Sequence, residues 1–332
     1  MSRNAELRKR TDAIFRNSQI PNSFTYGAPS SAVYTEPMRE RHRLWAGASV
    51  VLVLLALAAP RAQTLQRGIY ASVLDKDGMP VPNLSPADFI VREDNIAREV
   101  LRVEPATAPM QIALLVDNSA ASSRSIRDIR DATAEFIKAV TSNGMKNEVA
   151  LITVAERPTI IVDYTTDQAK LLKGAAIFTQ PSSGAYMLDG ILETSRALKK
   201  REAMRPVVVG IATNGVEYSN RYRDQVIGAL NDAGASLHIV MVGPPPTDVT
   251  TNEGRERAYV YSEGTESTGG RYDNVLAASA MGMRLKQVGD ELTHQYLVTY
   301  ARPTTLIPPE RIKLTSKRSD LTVRGTPVKA AK

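Results

Sequence analysis

The chain has 332 residues, of which 43% are hydrophobic and 23% charged, and its net charge is +7. This balance excludes a mostly disordered chain, and the length predicts about two domains. The sequence has no cysteine and only three histidines. Disulfide bonds, thiolate zinc sites and cysteine nucleophiles are therefore excluded, and a histidine-rich metal site or a Ser-His-Asp triad is disfavoured.

Residues 1–62 form a basic leader. They hold nine Lys and Arg residues against four Asp and Glu residues, so most of the net charge belongs to them. The near-neutral remainder disfavours a nucleic-acid-binding surface. Residues 44–59 are an uncharged apolar run, shorter than the ~20 residues that span a membrane. Preceded by Arg39, Arg41 and Arg43, this run predicts a signal peptide and export to the periplasm or beyond. An uncleaved inner-membrane anchor is the alternative, and it is the only membrane contact that we expect.

Residues 107–292 predict an α/β domain. Short apolar runs rich in β-branched residues, which suit parallel strands buried on both faces, occur at 111–116, 149–155, 207–212 and 237–242. After the first run, Ile129, Phe136 and Val140 recur at helical spacing, and similar stripes follow each of the other runs. This alternation of strands and helices predicts a doubly wound parallel sheet.

Both flanks of this domain predict antiparallel strands. Residues 63–106 contain three runs separated by turn residues and prolines, and residues 293–328 contain three more before a short tail at 329–332. Neither flank has enough strands for a sandwich alone. We therefore expect one small β-sandwich built from both chain ends, with the α/β domain inserted between them.

Two features inside the α/β domain have simple structural interpretations. His238 lies within an apolar strand, which predicts a core or sheet-face histidine whose ring nitrogens are satisfied by hydrogen bonds within the protein, without a ligand role. Gly269-Gly270 follows a Ser-Thr pair and predicts the end of a helix and a turn into a strand, since no phosphate-binding glycine motif is present.

Polar residues follow two of the predicted parallel strands. Asp117 and Ser119 come directly after the first apolar run, and Asn214 follows the run at 207–212. In open α/β sheets, ligands bind beyond the carboxyl ends of the strands. Carboxylate, hydroxyl and amide oxygens there would suit Mg²⁺ or Mn²⁺. A purely structural role, in which Asp117 and Ser119 cap the following helix, is the competing interpretation.

Several segments in this order resemble the von Willebrand factor A (VWA) domain, and more closely the bacterial secreted proteins with a β-rich segment on each side of it. The segments that carry the resemblance are 74–95, 114–122, 267–275 and 290–303. The resemblance covers most of residues 66–328. It implies a VWA or Rossmann-like fold and a role in protein binding or adhesion.

The metal-ion-dependent adhesion site of that family uses Asp-x-Ser-x-Ser, a Thr from a middle loop and a later Asp. Asp117 and Ser119 match the first two positions. Ala121, Ala185 and Asn214 stand where the family has Ser, Thr and Asp. The resemblance therefore implies a degenerate site at Asp117, Ser119 and Asn214, with no resident cofactor and at most weak binding of Mg²⁺ or Mn²⁺.

These observations predict an exported, non-enzymatic protein-binding, adhesion or scaffold protein. Its protein partner is expected at the carboxyl ends of the parallel strands. The alternative is a metal-gated adhesin or a metal-dependent enzyme that uses Asp117, Ser119 and Asn214. Catalysis is disfavoured because no general base or nucleophile lies near these residues in the sequence. A small-ligand α/β binding protein is a third, weaker hypothesis.

Overall fold

A computed structural model describes residues 64–142, 144–244, 249–304 and 307–329. The expected leader at 1–62, including the apolar run at 44–59, lies outside the described residues. Within these ranges, no helix is both long enough and apolar enough to cross a membrane.

Strands and helices follow one another along the described chain. The strands are β1 (Thr64–Leu74), β2 (Phe89–Glu93), β3 (Ile96–Arg98), β4 (Val100–Pro105), β5 (Gln111–Val116), β6 (Glu148–Thr153), β7 (Thr159–Thr165), β8 (Pro206–Thr213), β9 (Ser236–Val242), β10 (Arg271–Val275), β11 (Tyr296–Pro303), β12 (Ile312–Ser316) and β13 (Thr322–Pro327). The helices are α1 (Ile126–Thr141), α2 (Gln168–Gly174), α3 (Met187–Lys200), α4 (Arg223–Ala233), α5 (Asn252–Tyr259), α6 (Thr265–Ser267) and α7 (Met281–Thr293). Short 3-10 turns lie at Pro86–Asp88, Ala120–Ser122 and Ala278–Ala280, and a π-helical turn, Val260–Gly264, joins α5 to α6.

The α/β part has a six-stranded sheet in the order β10-β9-β8-β5-β6-β7. Its strands pair in parallel except for β7, which runs antiparallel to β6. One face packs against α1, α2 and α7 through Phe136, Leu171 and Leu285. The other face packs against α3 and α4 through Leu188 and Leu230. The predicted doubly wound, mostly parallel sheet is confirmed.

The β-sandwich combines both flanks of the α/β part. A four-stranded sheet in the order β13-β1-β11-β4 faces a three-stranded sheet in the order β12-β2-β3. The strand β1 pairs antiparallel with β11 on one side and with β13 on the other. Between the sheets lies a core that includes Ile69, Phe89, Val298 and Leu314. The predicted sandwich from both chain ends is therefore confirmed.

A buried arginine contacts both crossings between the sandwich and the α/β part, which a backbone hydrogen bond from Ala106 to Gln295 (2.8 Å) also joins. Arg205, just before β8, is 2% exposed. One of its terminal nitrogens donates hydrogen bonds to the carbonyls of Ala106 (3.3 Å) and Ala108 (3.1 Å), before β5. The other donates to the carbonyl of Leu292 (2.6 Å) and to Oε1 of Gln295 (2.7 Å), before β11. Burial lowers the pKa of Arg205 to about 10, so the side chain stays cationic at neutral pH.

Gly269 and Gly270 connect α6 to β10, as the helix-stop interpretation predicted. Gly269 has a φ of +78°, and a Cβ atom there would lie 2.4 Å from the carbonyl oxygen of Gly325 in β13. A Cβ atom on Gly270 would lie 1.8 Å from the carbonyl oxygen of Leu237 in β9. The backbone approaches so closely at both positions that only glycine fits.

Candidate functional site

Asp117 joins the carboxyl ends of β5 and β8. Its carboxylate is 1% exposed. Oδ1 accepts a hydrogen bond from the amide of Ser119 (2.9 Å). Oδ2 accepts from the amide of Thr213 (3.1 Å) and from the Thr213 hydroxyl. A carboxylate offers about four lone-pair positions, so protein donors occupy most of them.

The interpretation of Asp117 and Ser119 as helix caps is wrong in detail. The helix α1 begins only at Ile126, after Ser125, and no side chain caps that end. Ser119 precedes the 3-10 turn Ala120–Ser122 and forms no side-chain cap there either. The partner of Asp117 is the strand end at Thr213, which is brought beside it by the parallel pairing of β5 with β8. The sequence pattern does not distinguish Thr213 from its neighbours as this partner.

Ser119 and Ala121 both face the loop after β8. A Cβ atom built on Gly215 would lie 2.6 Å from the Cβ of Ala121 and 3.7 Å from Oγ of Ser119. The Ser119 hydroxyl is fully buried and has no hydrogen-bond partner among the described residues. The structure thus brings the Asp117–Ser119 segment and the Asn214–Gly215 segment into contact, as expected for the ends of neighbouring parallel strands.

Asn214 itself is exposed and lies against the loop after β9. A Cβ atom built on Gly243 would lie 3.2 Å from Oδ1 of Asn214. The residue that hydrogen-bonds Asp117 is Thr213, the last residue of β8, which directly precedes Asn214. Asn214 therefore belongs to the same edge of the sheet but is directed toward a third loop.

A backbone strip crosses this edge at Ala185. The residue forms isolated β-bridges with Ala155, after β6, and with Glu217, after β8. Its amide donates to the carbonyl of Val216 (3.2 Å), and its carbonyl accepts from the amide of Tyr218 (2.8 Å). The Ala185 methyl group is buried. This strip ties the loops after β6 and β8 together without any side-chain oxygen.

A buried polar cluster, which the sequence pattern does not indicate, lies below the β8 loop. Burial raises the pKa of the Glu217 carboxyl to about 7, although Ser219 and Arg257 oppose the shift. Arg257, on α5, is also buried and donates to the carbonyl of Gly215. Tyr261, in the π-helical turn, lies close enough to both charges for them to affect its pKa, which burial raises. Nothing in the polar sequence of α5 marks Arg257 as a buried residue.

Exposed apolar and aromatic side chains surround this polar centre. We call Val216, Tyr218 and Tyr222 the β8 rim; all three are exposed, Tyr222 by 65%. The Tyr218 ring stacks on Tyr186 with ring centres 6.2 Å apart. Beside them, the Arg223 guanidinium lies 3.9 Å from the ring centre of Tyr259. This edge of the sheet thus presents aromatic rings around a buried polar centre in which most groups are hydrogen-bonded.

Residues 112–216, from β5 to the loop after β8, match the von Willebrand factor type A domain family. The chain therefore contains a VWA domain. No curated protein matches its sequence.

Several solved structures resemble the VWA protein described here. The von Willebrand factor domain of a type V pilus tip protein from Porphyromonas gingivalis has 18% identity and a TM-score of 0.31, over 34% of this chain and 40% of that one. The chain thus spans less than half of that structure. A von Willebrand factor type A protein from Catenulispora acidiphila has 8% identity and a TM-score of 0.46, over 81% of this chain and 75% of that one. The conserved hypothetical protein BatB from Bacteroides thetaiotaomicron has 14% identity and a TM-score of 0.41, over 55% and 98%.

The donors at this VWA edge supply fewer oxygens than an octahedral Mg²⁺ site takes. The buried Ser119 hydroxyl could serve as a ligand, but most lone pairs of Asp117 already accept protein hydrogen bonds. Ala121 and Ala185 offer methyl groups, and Asn214 offers a neutral amide. Within the described ranges, no group of three or more His, Asp or Glu side chains could hold a metal ion. The residues present therefore do not fit a tightly bound magnesium ion.

Proposed function

We propose that this VWA protein is exported and binds another protein, as an adhesin or scaffold without enzymatic activity. The partner binds at the carboxyl ends of the parallel strands. The observation that carries this proposal is the β8 rim, where Tyr218 and Tyr222 are exposed beside a buried polar centre. Tyrosine is enriched at protein interfaces because its rigid ring contributes a large contact area at a small cost in entropy. Export rests on the signal-peptide pattern of the leader.

The adhesion site is proposed to be degenerate, so partner binding needs no metal ion. The hydrogen bonds from Ser119 and Thr213 compensate the charge of Asp117 within the protein. The second candidate is a metal-gated adhesin or metal-dependent enzyme that uses Asp117, Ser119 and Asn214. The buried Ser119 hydroxyl favours it, because that oxygen has no partner among the described residues and would be available to a cation.

Magnesium is expected to leave the melting temperature of the natural protein almost unchanged. A site with millimolar Kd would add only about 0.4 kcal/mol at millimolar Mg²⁺. The triple variant Ala121→Ser, Ala185→Thr and Asn214→Asp restores two hydroxyls and a carboxylate. Its melting temperature should rise by several degrees with Mg²⁺ or Mn²⁺ and fall back with a chelator. A large chelator-sensitive shift in the natural protein, lost in Asp117→Ala, would support the metal-gated candidate instead.

Partner capture should depend on the β8 rim. The double variant Tyr218→Ser and Tyr222→Ser is expected to weaken capture from envelope extract at least about tenfold, the effect of losing one interface anchor of ~1.4 kcal/mol. The matched control is Ile96→Ser with Leu101→Ser, two exposed apolar residues of the sandwich. Capture quantified by mass spectrometry, with and without chelator, checks both parts. Equal loss in both double variants would contradict a partner site at the rim.

A further inference from the structure

Five ionisable side chains meet where β13 of the sandwich lies against the α/β part. We call them the junction cluster: His238 on β9, Arg271 and Asp273 on β10, Glu291 on α7 and Arg324 on β13. The cluster lies on the face of the sheet that packs against α7. It is separate from the carboxyl-end site that the proposed function uses.

The charges of the junction cluster balance one another without His238. Arg324 donates to Oε2 of Glu291 (2.6 Å), which links the sandwich to α7. Arg271 donates to the same oxygen (3.3 Å) and to Oδ1 of Asp273 (2.8 Å). Burial disfavours the charged form of Glu291, but Arg324 and the other cations outweigh it and lower the pKa of this carboxyl. Two largely buried cations and two anions therefore face one another at the contact, and Arg284 of α7, which is partly exposed, lies 4.0 Å from Oδ1 of Asp273 at its edge.

His238 is enclosed within this balanced group. It is 0% exposed and lies between Arg271 of β10 and Val209 of β8 in the sheet register. Neither ring nitrogen has a hydrogen-bond partner among the described residues, so the prediction of a satisfied histidine is wrong. Burial lowers the pKa of His238 from 6.5 to about 4, and Arg324 and Arg271 lower it further while Glu291 and Asp273 oppose them. The imidazole is therefore neutral at pH 7.

We propose that His238 is an acid-sensitive release for the contact between β13 and the α/β part. When the buried imidazole gains a proton, the junction cluster carries one uncompensated positive charge beside Arg324 and Arg271. Burying a third cation there is unfavourable. Opening the contact lets water solvate the imidazolium, so the sandwich separates from this face of the sheet. The inference does not depend on the proposed partner.

The direction of the pH effect follows from proton binding. Between about pH 6.5 and pH 4, the open form binds a proton at His238 and the closed form does not. Lowering the pH through this window therefore favours the open form. The opening equilibrium is expected to rise roughly a hundredfold between pH 7 and pH 4.

A single introduced thiol can report this opening, because the chain has no cysteine. Thr326 on β13 is buried and donates to the carbonyl of Thr268 across the contact (2.8 Å). The variant Thr326→Cys is labelled with a pyridyl disulfide, which reacts with thiols at acidic pH, and its rate is normalised to that of the unfolded chain. The central buried position Ala113→Cys, in β5, reports global unfolding.

We expect labelling of Thr326→Cys to accelerate roughly a hundredfold from pH 7 to pH 4 while Ala113→Cys stays protected. Adding His238→Leu should remove most of the acceleration, with a small remainder from protonation of Glu291 near pH 4, and His238→Gln serves if the leucine variant does not fold. Adding His294→Gln, at the exposed end of α7, should leave it intact. Absence of acceleration, the same acceleration in both His238 variants, or equal acceleration at Ala113→Cys would each overturn the proposal.

Discussion

Replacing Arg205 with methionine is expected to lower the free energy of unfolding by about 3–5 kcal/mol. The substitution keeps an apolar stem of similar length but removes the guanidinium. Four acceptors, in Ala106, Ala108, Leu292 and Gln295, would then lose their shared donor group. Because Arg205 is buried, water cannot readily replace it. Chemical denaturation followed by circular dichroism measures the effect.

Two variants make this prediction specific. Arg205→Lys keeps the charge but cannot reach both crossings at once. We therefore expect a loss of stability between that of Arg205→Met and zero. Arg196→Met changes an exposed arginine and should stay within about 0.5 kcal/mol of the natural protein. A loss below about 1 kcal/mol for Arg205→Met would show that the two crossings are held by other contacts. We propose that the chain divides into residues 63–106, 107–292 and 293–328, and that these three parts meet at Arg205.

Replacing Gly270 with alanine is expected to cost about 4 kcal/mol or more, or to prevent folding. The new Cβ would lie 1.8 Å from the carbonyl oxygen of Leu237, which is backbone and cannot rotate away. Relief requires the start of β10 to move from β9, which disturbs the register that pairs Arg271 with His238. Overpacking among side chains alone usually costs less than this.

Gly228→Ala is the matched control for that experiment. Gly228 lies within α4, and a Cβ atom there meets no atom within 4 Å. Alanine in a helix interior is favoured over glycine by about 0.5–1 kcal/mol, so this variant should be slightly more stable. Thermal melts of the two variants should therefore move in opposite directions. A small change of melting temperature in both variants would mean that β10 can shift without a loss of stability.

The central sheet could be predicted because burial on both faces leaves a continuous apolar run. In β8, for example, all eight residues are buried, and most of them are apolar. The edge strand β7 was not predicted, since its pairing exposes Ile160 and Ile161 and buries only Val162. Its sequence therefore has neither a continuous run nor a clear alternation. The formation of an edge strand depends more on pairing with its neighbour than on its own hydrophobic pattern.

The sequence predicts only part of the candidate site, because strand direction can be read from the pattern and side-chain contacts cannot. Asp117 and Ser119 directly follow a strand, so their place at the edge follows from the direction of the sheet. The actual partner of Asp117 is Thr213, the last residue of its strand, which the sequence does not distinguish from Asn214. Glu217 and Arg257 were missed because burial of a charged side chain depends on tertiary packing, and charged residues are seldom fully buried.

The position of Arg205 also shows that the two ends of the α/β part lie close together. Its entry and exit segments bond to one guanidinium, so the chain leaves the sandwich and returns to it at adjacent points. Segments whose ends lie close together can be exchanged or inserted without stretching the host. A different inserted unit that places an arginine at the same spot could be grafted between β4 and β11. Such a unit would also have to match the surface that β13 presents to the α/β part, where Thr326 and Arg324 make contacts.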